Sequence, residues 1–366
     1  MPLLRTDTGV GAAASAGPLV QPAGGRPGVR VAGRPGQPAV PAGLLTDAGC
    51  EPLVDADLLA GAIPPDQVES LRPLLPVGSR IAAEAYRSAV AQLSADDLSN
   101  HYRDGQGWLR HVFGPALIDR VQRLSEGEWD LTGWQLFSAG SDVDLITHIT
   151  EAVAAAGQVV IYPGDWYGFM VGATHDHAVR FDAARSADLA CLCVPSVRNG
   201  HLTNEMVAFL ARSPARLLNI NLFPTLAAED RAEIARALRP LLPGALLSIS
   251  FSRGFGLTAS QLGVLLVPPG HPFATRYRRQ WDWFSYFYNA LAARAFMAVD
   301  MAALAEVDAA RRDWVADWLS ERQLPAVASG SYYVRSFRPD GPVADHLRPL
   351  FRHGVLRCCL KPTVTG

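Results

Sequence analysis

Five short apolar runs, separated by helical stretches, constrain this chain more than any other feature. They are residues 158–162 (QVVIY), 188–194 (DLACLCV), 216–222 (RLLNINL), 246–251 (LLSISF) and 262–267 (LGVLLV). Each is too short for a buried helix and apolar on both alternating faces, which is the signature of a strand covered on both sides. Strands of that kind, spaced by helices, predict a parallel sheet wound by right-handed crossovers, hence an α/β fold. A chain of 366 residues has room for about two domains of this sort.

Composition removes several functional classes. Hydrophobic residues make up 49% of the chain, enough for a large core, so global disorder is excluded. Basic and acidic residues nearly balance, at 33 and 35. No basic field or cluster offers itself to nucleic acid or to an anionic membrane, and no apolar run reaches the length of a bilayer span. The cysteines are Cys50, Cys191, Cys193, Cys358 and Cys359. Their odd number and the lack of a secretory signal point to a reducing cytoplasm, with Cys191 and Cys193 as buried structural thiols. No C-x2-C spacing suggests zinc. Lys361 is the only lysine in the chain, so any lysine chemistry must use it.

The expected organisation has three parts. Residues 1–45 form a Pro/Gly/Ala-rich tail without periodicity, expected to be disordered. Residues 46–320 form the large domain, including an N-terminal segment and a long helical region at 276–320 that begins aromatic (Tyr277, Trp281, Trp283, Phe284). Such an aromatic stripe reads as core or dimer contact. Residues 321–366 hold two strand-like pieces, 331–337 and 355–360, around a short helix, a small C-terminal α+β domain. Helical spacing also marks 82–94, 107–125 with a break at Gly114-Pro115, and a helix opening at Asp142.

Several motifs follow one another in a telling order. Val54–Gly61 precedes Pro64-Pro65, and Tyr102-Arg-Asp-Gly-Gln-Gly107 precedes Leu109-Arg110. Ser138-Ala-Gly140-Ser141-Asp142 opens a helix, where free N–H groups and the helix dipole favour an anion. Pro163-Gly-Asp-Trp166-Tyr167 follows, then Ser248-Ile-Ser250-Phe-Ser-Arg253-Gly-Phe-Gly256 running to Gln261-Leu-Gly263. Gly330–Arg335 and Gly354-Val-Leu-Arg357 close the series. Over residues 50–361 this order resembles the fold-type-I, pyridoxal-phosphate (PLP)-dependent aminotransferases of class I/II. The resemblance implies an aminotransferase-like large domain with a mainly parallel, seven-stranded-type sheet and a homodimer. It implies that Gly61 lies over the substrate and that Tyr102 reaches across a dimer interface toward the cofactor phosphate. Gly140 and Ser141 would cradle that phosphate, Trp166 with Tyr167 would shelve the pyridine ring, and Asn221 and Ser250 would border it. Arg357 matches the clamp for a substrate carboxylate, where a planar fork holds two oxygens. Asp142 competes with the phosphate reading, because its carboxylate suits the helix cap.

Four positions depart from that pattern. Arg253 stands where the Schiff-base lysine belongs, and a guanidinium that stays protonated cannot form an aldimine. Gln261 replaces the phosphate arginine, and Val197 replaces the asparagine that bonds the ring hydroxyl. The aspartate partner of the pyridinium nitrogen is replaced by Asn219, Ile220 or Asn221, depending on register. A neutral amide does not hold that nitrogen protonated. The active site reads as degenerate: PLP or its amine form PMP is held non-covalently at most, and Arg253 acts electrostatically.

Other signals are weaker. His175-Asp-His177 has the spacing of some metal ligands without a third partner, and solvated loop histidines are the simpler reading. His101 and His148 fall near the presumed cleft. No G-x-S-x-G elbow, P-loop or dinucleotide fingerprint occurs. Three functions are compatible with this inventory. One is a biosynthetic enzyme, of the specialised-metabolite or antibiotic kind, acting on an amino-acid-like or carboxylated molecule without an aldimine. Another is a silent subunit paired with an active relative. The last is an aminotransferase-type enzyme holding PLP or PMP non-covalently.

Overall fold

All five apolar runs are strands of one sheet in the computed structural model, which describes residues 43–99, 107–165, 178–258, 262–275, 286–327 and 329–365. They are β3 (Val159–Ile161), β5 (Leu189–Cys193), β6 (Ala215–Asn219), β7 (Ala245–Ser250) and β8 (Gly263–Val267). Two further strands complete the sheet, β2 (Gln135–Ala139) and β4 (Val179–Phe181). The order is β2-β8-β7-β6-β5-β3-β4, and β8 alone runs antiparallel to its neighbours β7 and β2. Side chains alternate between two cores. Leu218, Ile249 and Val264 join the cluster around Phe113, Phe251 and Phe296, whereas Leu217, Leu246 and Leu265 join that around Ile146, Tyr333 and Phe337. That period of two, apolar on both faces, is why these strands read as unbroken hydrophobic runs.

The helices refine the sequence reading. Arg80–Gln92 is capped by the Ser79 hydroxyl, which accepts from Ile81 N, and it buries Ala82, Ala85 and Ala89 against the Tyr286–Ala298 helix. No break occurs at Gly114-Pro115: a π-helical turn, Leu109–Phe113, runs straight into the helix Gly114–Leu124. Pro115 sits in the first turn of that helix, where a missing N–H costs little. The described part of 276–320 is two helices, Tyr286–Ala298 and Met301–Glu321. Asp300 separates them by capping the N–H groups of Ala302 and Ala303.

A second sheet, ordered β1-β9-β11-β10, holds the C-terminal segment. Here β9 (Val334–Asp340) and β11 (Val355–Cys359) are antiparallel, and β10 (Phe351–Arg352) joins β11 through His353-Gly354, both in the left-handed region (φ 46° and 85°). Those angles suit the tight turn of a right-twisted hairpin. The fourth strand, β1 (Leu53–Asp55), pairs in parallel with β9, so this part of the N-terminal segment belongs to the small sheet rather than the large one. Leu44 and Leu45 also lie inside the folded part: Leu44 is buried, and their carbonyls accept from the side chain and backbone N–H of Asn204. The preceding tail lies outside the described residues. All five cysteines are buried and free, and burial pushes their thiols up, so they are inert packing groups. Among the described residues no helix is long and apolar enough to cross a membrane.

Candidate functional site

The carboxyl ends of β6 and β7 open toward the start of the helix Asp142–Ala154, the place where open α/β sheets bind ligands. Ser141 caps that helix, its hydroxyl accepting from Asp144 N at 3.0 Å. Asp142 is therefore the first helical residue rather than the cap. Its carboxylate turns down toward β6, where Oδ2 accepts from the amides of Asn219 at 2.7 Å and Asn221 at 2.8 Å. Both asparagine side chains bond Asp142, whereas Ile220 enters the core. Asn219 also donates to the Ser248 hydroxyl at 3.0 Å, and Asn221 Oδ1 accepts from Ser250 N at 2.5 Å. Burial pushes the Asp142 carboxyl above its usual range, against the opposing pull of the two amides and of Arg253. Its Oδ1 has no hydrogen-bond partner among the described residues. Gly263 makes this packing possible, because a Cβ there would lie 2.3 Å from Asp142 N.

Arg253 follows β7 in the short helix Ser252–Phe255. Its Nε and Nη2 donate to the carbonyl of Leu74 at 3.2 and 3.1 Å. Its own carbonyl accepts from the Tyr333 hydroxyl, which in turn accepts from Val77 N at 2.9 Å. Arg357, on β11, is buried and donates to the carbonyl of Val197 at 3.3 Å. The space left between Leu74, Cys193, Val197, Asn219, Asn221 and Arg253 is about 10 Å³. Larger hollows lie elsewhere: about 520 Å³ beside Leu124, Arg231 and Leu304, and about 370 Å³ beside Trp134 and Phe137. Neither opens at the ends of β6 and β7.

The structure thus brings Asn221, Ser250 and Arg253 together with Asp142, and places Arg357 on the neighbouring Val197. Ser141 is committed to its cap, and Gly140 lies beside the Asp144 carboxylate. Gly61 falls in the helix Ala56–Ala62, exposed, with open space where a Cβ would stand. His148 is exposed on the outer face of its helix. Tyr102, Trp166, Tyr167, Gln261, His101, His175 and His177 lie outside the described residues. Among the described residues no group of three His, Cys, Asp or Glu is placed to hold a metal.

Sequence reasoning missed a buried knot behind the cleft. The Asp165 carboxylate accepts from Cys193 N at 2.6 Å, Val197 N at 3.0 Å and the Ser196 hydroxyl at 3.0 Å. Next to it, Arg198 grips Glu51 with two parallel bonds, Nε–Oε1 at 2.6 Å and Nη2–Oε2 at 3.0 Å, and Asn199 adds a third. The Pro-Gly-Asp turn was visible, but it drew notice for Trp166 rather than for its aspartate.

These residues do not fit pyridoxal phosphate. Position 253 carries no amine. The Asn219 and Asn221 amides are bonded to Asp142, and the helix start that the resemblance would give to phosphate carries the Asp144 carboxylate in its first turn. Among the described residues the gap beside Arg253 is about 10 Å³, far from the few hundred Å³ of a small-molecule pocket.

No family model matches the chain, and no curated protein matches it. Solved structures do. The PLP-bound C-S lyase of Staphylococcus hominis superposes with a TM-score of 0.54 at 9% identity, over 74% of this chain and 76% of that one. Histidinol-phosphate aminotransferase of Sinorhizobium meliloti, in complex with pyridoxal-5'-phosphate, gives 0.52 at 16% identity, over 82% and 91%. L,L-diaminopimelate aminotransferase of Chlamydomonas reinhardtii gives 0.55 at 14% identity, over 87% and 93%. The chain has the fold of the PLP-dependent aminotransferases; at these identities the likeness establishes the fold and no more.

Proposed function

We propose that this protein is a divergent aminotransferase-fold protein of biosynthetic metabolism that handles an amino-acid-like or carboxylated small molecule without a PLP–lysine aldimine. The observation that carries the reading is a pair of guanidinium groups at one residue. Arg253 lines the same small cavity as Val197, and Arg357 bonds the Val197 carbonyl. Two planar cations near Val197 suit a carboxylate, which each can hold through paired N–H donors. Arg253 supplies charge, not a nucleophile. Asp142, pushed up by burial, is the titratable carboxyl facing it. A cytoplasmic location agrees with the reduced, buried cysteines.

Calorimetric titration with glutarate and with L-glutamate tests the reading. Binding is expected in the native protein, and Arg357→Met is expected to weaken it at least tenfold, about 1.5–3 kcal/mol for a lost charged hydrogen bond. Unchanged affinity in both Arg357→Met and Arg253→Met would remove it.

A second reading is favoured by one observation, the engagement of Arg253 with Leu74 beside almost no free volume. It is a catalytically silent subunit that pairs with a lysine-bearing relative. A homodimer that turns over substrate on its own would sink that alternative.

A further inference from the structure

We infer that residues 72–78 are a strap across the cleft, latched by Arg253, and that an entering carboxylate takes the place of the Leu74 carbonyl on its guanidinium. The inference rests on the carboxylate reading above.

Between the helices that end at Leu71 and begin at Arg80 the chain has no regular structure. Pro73 and Pro76 have no N–H to give, so this stretch is held by few hydrogen bonds. At its far end the hold is firm. Val77 is buried and donates to the Tyr333 hydroxyl, and the Gly78 carbonyl accepts from Arg311 at 3.0 Å. Arg311 is itself fixed by Asp308 and by the Val364 carbonyl. The near end is different. Leu75 is 48% exposed, and the Leu74 carbonyl is held by Arg253. Such a segment, without regular structure between the buried Leu71 and Val77 and latched at Leu74, belongs to the low-stability part of a fold.

Leu74 is also one of the residues lining the cavity of about 10 Å³. That space is too small for a carboxylated molecule, so binding at Arg253 requires a lining residue to move, and Leu74 is the one whose carbonyl Arg253 holds. The exchange is favourable in kind: a carbonyl is a neutral acceptor, whereas a carboxylate meets the same fork with two charged oxygens, a bond about twice as strong. The Tyr333 hydroxyl bonds the backbone of Arg253, so the latch residue is held in place while its side chain changes partner. Gly256 (φ +71°) ends the turn against Ser79, a fixed floor for the pivot.

The experiment is hydrogen–deuterium exchange of the full chain over peptides spanning 72–79, with glutarate as probe and calorimetry in parallel. The Val77 amide, whose N–H is held by the Tyr333 hydroxyl, is expected to exchange at least about fivefold faster at saturating glutarate as the strap lifts. Arg253→Met is expected to show the faster exchange without glutarate and no further response. Arg253→Gln serves the same purpose if the first variant fails to fold, with circular dichroism as the check. Glutarate heat with unchanged exchange overturns the strap and leaves the binding reading standing. Absence of any glutarate heat overturns the binding reading and the exchange with it. The same acceleration from sodium chloride at equal ionic strength also overturns the inference, because it would show loosening by salt rather than by a carboxylate.

Discussion

Two buried carboxylates, Glu51 and Asp142, are treated in opposite ways. Glu51 meets a full cation: Arg198 takes both its oxygens and Asn199 adds a third bond. Asp142 meets two neutral amides, and one of its oxygens has no partner among the described residues. Charge is balanced in the first and left over in the second. Buried polar groups fully paired act as scaffold, whereas a buried group left short is where a protein keeps chemistry or binding. The knot around Glu51 holds the 194–201 turn, and the Asp142 cluster occupies the mouth of the sheet.

The contrast can be broken by mutation. Glu51→Ala strands the Arg198 guanidinium in the interior, and a loss of about 3–5 kcal/mol is expected in denaturant unfolding. A cost below about 1 kcal/mol would mean that the pair is wetter and weaker than its burial implies.

Acid sharpens the contrast, because the two regions respond with opposite sign. His201, at the end of the knot, is buried with no partner for its Nε2 among the described residues, and burial lowers its pKa to about 3, helped by nearby Arg335. The unfolded chain then binds the proton first. This residue's contribution is present above the ordinary histidine value of about 6.5 and is lost as pH falls toward 3, on the order of 5 kcal/mol. His201→Gln should remove that part of the acid sensitivity, read as the slope of stability against pH.

Asp142 runs the other way. Its folded pKa is raised, so its neutral form favours the fold at low pH, and that advantage is lost as pH climbs through and above the ordinary carboxylate range. Asp142→Asn should flatten the slope. Asp142→Ala leaves the Asn219 and Asn221 amides without their acceptor and should cost about 2–3 kcal/mol. Equal stability of the Ala and Asn variants would show that the amides find other partners. The smallest effect is expected at the helix start, where Ser141→Ala removes one cap bond, about 1 kcal/mol. A larger loss there would mean that Ser141 has a role beyond capping.

Much of the scaffold was legible in the chain. The runs at 188–194 and 262–267 became strands because covering helices allow apolar residues on both faces, and that leaves an unbroken signal. The strand at 135–139 stayed hidden because Gln135 and Ser138 interrupt its pattern, whereas the Arg-Phe strand after His177 was visible and is β4. The site was legible as an inventory of missing functions, above all the guanidinium at 253. Its actual contacts were not. Arg253 finds Leu74 from 179 positions away, and Arg198 finds Glu51 from 147, and neither motif nor periodicity encodes such pairings. Asp142 was read as a cap because its position allows it; Ser141 is the better-placed hydroxyl and released the carboxylate to β6.

The central claim is that the described residues at the mouth of this sheet are committed to one another and do not suit pyridoxal phosphate. Native mass spectrometry of the purified protein, alone and with PLP or PMP added, tests it most directly, with borohydride reduction to trap any link to Lys361. The account predicts no retained cofactor and no trapped adduct. Stoichiometric PLP or PMP surviving desalting would contradict it, and would show that the Asp142–Asn219–Asn221 cluster opens to admit a pyridine ring.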